Sequence, residues 1–213
     1  MHKKEFITAG QSLETASKVL IMMHGRGGSA EDILGLSDHL QVKDFAIVAP
    51  KATNNTWYPY SFLMPPQQNE PWLSSALQVI KEIINDLVAK GVTQELIYFL
   101  GFSQGACLTL EFVTRNATRF GGVVALTGGL IGDKIYEQNY AGNFDGTKIF
   151  IGTSDPDPHV PVQRVHDSEL ILRKLNAAVT VKVYKGMGHT INQDELDAAN
   201  MILTSAEKRS GDK

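Results

Sequence analysis

A single cysteine in 213 residues, Cys107, excludes an internal disulfide framework. It falls on the apolar side of a helix-like run after Ser103, so it reads as core packing rather than as a redox group. An excess of charge is missing too. Lys and Arg number 20 against 23 Asp and Glu, and a net charge of −3 offers nothing for nucleic acid or an anionic membrane surface. No apolar run approaches the roughly 18 residues of a membrane span, so no stable membrane insertion is expected. Met1-His2-Lys3-Lys4-Glu5 lacks the apolar stretch of a secretory signal, and a cytoplasmic protein is expected. Linkers, repeats and low-complexity segments are absent, so residues 1–213 read as a single domain. What is there is 43% apolar and 20% charged residues, a globular composition.

Apolar runs at 18–23, 45–49, 96–100, 123–126 and 148–151 read as buried strands. Residues 3–9 suggest a short edge strand, and Val179 to Tyr184 alternates like a strand nearer the sheet edge. Helices are expected over 30–40, 72–90, 106–116, 161–176 and 192–207. In the second of these, Leu73, Ala76, Leu77, Ile80, Ile84, Leu87 and Val88 recur at spacings of three and four, and Gly91 supplies the stop. Asn192 and Glu195 resemble a capping box opening the last helix, and the polar tail from Lys208 is expected to fray. Strands alternating with helices predict an α/β fold, a mostly parallel central sheet with helices on both faces. In such sheets, sites form beyond the carboxyl ends of the strands.

At those ends stand His24-Gly25, Ser103, Asp155 or Asp157, and His189. Ser103 lies in Gly101-Phe102-Ser103-Gln104-Gly105, between a strand and a helix. A serine hydroxyl is a poor nucleophile, and a sharp strand-to-helix turn exposes it to a base and to helix N-terminal N–H groups. The plain alternative is a turn with a serine N-cap. The chain order Ser, Asp, His is that of α/β-hydrolases. His24 reads as a turn-stabilising partner, and His2 and His39 as surface residues. His159 and His166 lie seven apart without a suitably spaced third ligand, so no metal or other cofactor is expected. The stretch 51–71 is too aromatic for disorder. Its Trp57, Tyr58 and Phe62 either line a substrate pocket or pin the loop.

Four segments together are similar to the small carboxylesterase/phospholipase family of α/β-hydrolases, which includes bacterial carboxylesterases and acyl-protein thioesterases. They are His24-Gly25-Arg26-Gly27-Gly28, Gly101-Phe102-Ser103-Gln104-Gly105, Asp157-Pro158-His159-Val160-Pro161 and Gly188-His189, and they span nearly the whole chain. The resemblance implies Ser103 as nucleophile, His189 as general base and an aspartate that orients it. It favours Asp157 over Asp155, through the D-x-x-V-P spacing. It also implies an oxyanion hole made by the backbone N–H groups of Arg26 and Gln104. Arg26 stands where the family often has a small apolar residue, so its side chain either meets an acidic substrate group or faces water.

About twenty residues separate the strands 123–126 and 148–151, too few for a separate lid domain. The expected activity is that of a serine carboxylesterase acting on small-molecule esters of short to medium acyl chains through an acyl-enzyme. An acyl-protein thioesterase, a lysophospholipase and a non-catalytic α/β-hydrolase scaffold are the alternatives. No residue specifies an oligomer, and a homodimer is compatible with the sequence.

Overall fold

Side chains that alternate between two faces, yet are buried on both, build the centre of the molecule. In β2 (Lys18–Met23), Val19, Ile21 and Met23 join one core, while Leu20 and Met22 join the other. The same division runs through β3 (Phe45–Pro50), β4 (Ile97–Phe102), β5 (Gly122–Leu126) and β6 (Lys148–Asp155). Continuous apolar runs of this kind are what a parallel sheet covered on both faces requires. The computed structural model describes residues 1–205. Among them one sheet has seven strands in the order β1-β3-β2-β4-β5-β6-β7, with β1 at Phe6–Gly10 and β7 at Ala178–Lys185. Every neighbouring pair is parallel except β1 and β3.

Helices α2 (Trp72–Ala89), α3 (Gln104–Arg115) and α4 (Val162–Lys174) pack on one face, and α1 (Ala30–Leu34) and α5 (Gln193–Leu203) on the other. This is the α/β-hydrolase fold. The connection from β5 to β6 holds one 3₁₀ turn, Glu137–Asn139, and no inserted helical lid. No described helix is long and apolar enough to cross a membrane.

Most boundaries shift by a few residues, with β1 at Phe6–Gly10 and α5 ending at Leu203, and three of the differences have a plain local cause. The helix expected over 30–40 is α-helical only to Leu34 and continues as a 3₁₀ turn, Gly35–His39. Gly35 and the Ser37-Asp38 pair weaken the α-helix there. Strand β6 runs on to Asp155 because Thr153, Ser154 and Asp155 pair with Val183, Tyr184 and Lys185 of β7, so ladder bonds carry it past its apolar residues. Helix α3 starts at Gln104, directly after the serine. Residues 206–207 of the last expected helix and the tail from Lys208 lie outside the described residues.

The capping box of α5 is present. Asn192 Oδ1 accepts the Glu195 N–H, and Glu195 Oε2 accepts the Asn192 N–H. Glu195 is fully buried over Gly152, and its second oxygen has no hydrogen-bond partner. Burial pushes its carboxyl up to about 7, the neighbouring Asp194 adding to the effect and the Asn192 N–H opposing it. A raised carboxyl favours the folded state while it stays protonated. That stabilisation is complete below the ordinary value of 4.5 and is lost as pH rises towards 7. Glu195→Gln should remove this dependence, which is on the order of 3 kcal/mol. Urea midpoints at pH 5 and pH 8 for both proteins check it; an unchanged slope in the variant would contradict it.

Candidate active site

The turn between β4 and α3 forces Ser103 out of the sheet. Its backbone sits at φ 54°, ψ −118°, a conformation that costs energy for any residue with a side chain. Packing over-determines it. A Cβ on Gly105 would lie 2.1 Å from the Met23 carbonyl oxygen, and one on Gly101 2.4 Å from that of Gly105. The Ser103 N–H donates to the Leu126 carbonyl at 2.9 Å, tying the turn to the end of β5. The hydroxyl makes no N-cap bond, so the plain capping role does not apply.

Instead Ser103 Oγ lies 2.7 Å from His189 Nε2, and His189 Nδ1 lies 2.9 Å from Asp157 Oδ2. A carboxylate only accepts, so Nδ1 carries the proton and Nε2 is left to accept from the serine hydroxyl. The Asp157 carboxylate is shielded from solvent. Burial pushes its pKa up, but hydrogen bonds from the His159 N–H, His189 and the Val160 N–H outweigh that and hold it below the usual range. Asp155 ends β6 on the surface, opposite Lys185, and is not the partner of His189. The other oxygen of Asp157, Oδ1, stabilises the turn by accepting the His159 and Val160 N–H groups at 2.8 Å each.

The loops bearing Asp157 and His189 are joined by Ser154. Its hydroxyl accepts the Gly188 N–H at 2.9 Å and lies 3.2 Å from the Pro156 carbonyl. The His189 ring is flanked by Phe102 at 5.4 Å and by His159 at 4.9 Å. His166 lies on α4 beside Glu169, and the described residues contain no cluster of three metal-ligating side chains.

The N–H of Gln104 is the first of its helix and has no intrahelical acceptor. Among the described hydrogen bonds the Arg26 N–H also has none, whereas those of Gly27 and Gly28 donate to Asn55 and Gly25 carbonyls. Both residues border a cavity of about 660 Å³ that also contains Ser103 and His189. Tyr58 and Phe62 line it; Trp57 does not. Trp57 is fully buried and donates its indole N–H to the His24 carbonyl at 2.9 Å, so it pins the loop. Cys107 closes the cavity floor, and burial pushes its thiol up to about 12.

Several residues have roles that the sequence reading did not contain. Gln104 accepts the Trp57 N–H at 2.9 Å and donates to the Tyr58 carbonyl at 2.8 Å, both buried. The Arg26 guanidinium neither faces water alone nor waits for an acid. It donates to Thr56 Oγ1, the Pro59 carbonyl and the Tyr60 carbonyl at 3.1, 2.8 and 2.6 Å. His2 is buried, not a surface residue, because Trp57 and Trp72 form an aromatic slot around it. Its Nε2 donates to the Trp57 carbonyl and its Nδ1 accepts the Thr53 N–H. His24 keeps its expected role, with Nδ1 donating to the Gly25 carbonyl and Nε2 accepting the Ala52 N–H. His39 is exposed.

An α/β sheet with a serine raised on a strained strand-to-helix turn, a histidine at its hydroxyl and unpaired N–H groups beside it defines an α/β-hydrolase of the serine-hydrolase class. More narrowly, the chain belongs to the phospholipase/carboxylesterase family, whose model matches residues 2–206. It is 30% identical to acyl-protein thioesterase 1 of Saccharomyces cerevisiae over 220 residues, covering 91% of this chain and 95% of that one. Acyl-protein thioesterase 1 of Kluyveromyces lactis is 28% identical over 222 residues, covering 95% and 97%. The solved phospholipase/carboxylesterase of Dyadobacter fermentans superposes with a TM-score of 0.94 at 51% identity, over 96% of this chain and 98% of that one. The protein is therefore an ester hydrolase of the carboxylesterase type.

Gln104→Ala orphans the buried Trp57 N–H and removes a donor to Tyr58. A stability loss of about 2 kcal/mol is expected, with faster amide exchange at Trp57. Urea unfolding and hydrogen exchange test this. Wild-type protection at Trp57 in the variant would show that the loop holds itself.

Proposed function

We propose that this carboxylesterase cleaves uncharged esters of short to medium acyl chains through an acyl-enzyme formed on Ser103. The observation that carries this reading is the unbroken line from Ser103 Oγ through His189 to the shielded carboxylate of Asp157. In the first step His189 Nε2 takes the hydroxyl proton as Oγ bonds to the ester carbon. Negative charge gathers on the former carbonyl oxygen, where the N–H groups of Arg26 and Gln104 receive it. Each such donor is worth about 2.7–4 kcal/mol in comparable sites. Collapse breaks the bond to the leaving oxygen, which takes the proton from Nε2. Water then repeats the sequence on the acyl-enzyme, and Asp157 stabilises the imidazolium in both halves.

The acyl group would occupy the cavity bordered by Tyr58, Phe62, Leu63 and Val160. Arg26 is the one Lys or Arg side chain among its described lining residues, and the loop carbonyls already engage its guanidinium. With those donors committed to the loop, the apolar side chains that line the rest of the cavity favour an uncharged acyl chain. A thioesterase is the second reading, supported by the identity with the two yeast proteins named acyl-protein thioesterase 1. Matched oxygen esters and thioesters, assayed side by side, separate the two. The non-catalytic scaffold has no such support, since serine, histidine and aspartate are all retained in bonding contact.

Ser103→Ala should leave a folded protein that no longer takes up a fluorophosphonate and loses esterase activity by several orders of magnitude. Undiminished turnover would end this reading. Asp157→Asn should lower kcat by about 10⁴, because an amide presents the wrong hydrogen-bond pattern to Nδ1. Asp155→Asn should stay close to wild type. The reverse order of losses would transfer the acid role to Asp155.

A further inference from the structure

A second hollow, of about 240 Å³, lies beside the first and shares only Arg26 with it. Its apolar wall consists of Ile33, Leu36, Phe102 and Ile191. Leu36, Phe102 and Ile191 are each half-buried, so apolar surface remains there for a ligand to cover. The two hollows flank the serine turn. Phe102, on one side of Ser103, lines the smaller, and Gln104, on the other, lines the larger. We propose that the smaller hollow is a leaving-group subsite, which holds the alkyl or aryl part of an uncharged alcohol or thiol.

The argument rests on the reading of Ser103 given above. An ester carbon held at Ser103 Oγ, with its oxygen at the Arg26 and Gln104 N–H groups, has two remaining substituents, and they diverge. If the acyl chain enters the larger cavity, the leaving group points to the other side of the turn. His189, which must supply the proton, borders the larger cavity, and its ring adjoins the Phe102 wall of the smaller one. The Phe102 ring stands 5.4 Å from the His189 ring, and Ile191 follows His189 by two residues. As the carbon–oxygen bond breaks, its electron pair stays on the leaving oxygen and the proton on His189 Nε2 completes the alcohol.

Charge sets the class of that alcohol. Asp32 lies in the hollow, its carboxylate held by the Ser29 N–H at 2.8 Å and the Ser29 hydroxyl at 2.9 Å. Among the described residues the only Lys or Arg in the lining is Arg26, whose guanidinium is turned to Thr56, Pro59 and Tyr60. A phosphate-bearing or acidic leaving group would meet the Asp32 carboxylate, while the one described cation of the lining, Arg26, directs its donors to those three residues. An apolar one would bury the exposed sides of Leu36, Phe102 and Ile191.

Methyl butyrate and hexyl butyrate test this, because the acyl-enzyme is common to both and the two alcohols are similar as leaving groups. The expected ratio of kcat/KM, hexyl over methyl, is at least tenfold in the wild type, for burial of several methylenes. Leu36→Asp should cut that ratio at least fivefold, and Leu36→Ser, the milder change, at least twofold. The preference for butyrate over acetate among methyl esters should shift by less than twofold in both variants, since the acyl chain lies elsewhere. A wild-type ratio near one, or one unmoved in both variants, would overturn the subsite. A wild type that hydrolyses neither ester would overturn the underlying reading of Ser103, and the subsite with it.

Discussion

The carbonyl oxygens of Met23 and His24 approach Gly105 so closely that a Cβ there would sit 2.1 and 2.6 Å away. That contact between the end of β2 and the first turn of α3 governs the site. It brings the N–H of Gln104 up to the loop that carries Arg26, and so sets two unpaired donors beside one serine. It also leaves the backbone of Ser103 no relaxed route from strand to helix. Strain at φ 54° is thus the local cost of a geometry that the surrounding parallel strands enforce. Remove the close approach, and neither the hydroxyl nor the two donors would face a common point.

Around this turn the polar groups do structural work that is easily mistaken for chemistry. Gln104 and Arg26 offer backbone N–H groups to the cavity, while their side chains hold residues 56–60. His24 and His2 are buried and bonded through both ring nitrogens, and burial lowers the pKa of each, so they are neutral braces for the same loop. Ser154 does for the Asp157 and His189 loops what Gln104 does for the aromatic one. The mouth of the enzyme is irregular in secondary structure, yet almost every segment of it is tied to a strand end.

The sheet was legible because its strands are apolar on both faces, and the turn because a strand, a pentapeptide and a helix adjoin. Ser103, Asp157 and His189 come together as their positions after β4, β6 and β7 imply. What periodicity could not show was pairing between polar residues. Thr153 and Ser154 look like loop, yet they extend β6 because β7 lies alongside. His2 looks like a surface residue, because nothing in sequence marks Trp57 and Trp72 as neighbours. Trp57 and Tyr58 are adjacent, both aromatic and both buried in one core, yet only Tyr58 also borders the cavity. The glutamine of Gly-Phe-Ser-Gln-Gly was the one visible hint of the loop's anchor. Its function needed the loop's position in space.

The grip of Arg26 on Thr56, Pro59 and Tyr60 also bears on how this enzyme can be recombined with its relatives. Two of the three acceptors are main-chain carbonyls, so they depend on the path of the loop rather than on its side chains. A loop of another shape would leave the guanidinium stranded at the rim of both hollows, and a small apolar residue at position 26 would leave this loop without its strap. Position 26 and the segment 56–60 therefore form one heritable block, to be exchanged together in any chimaera.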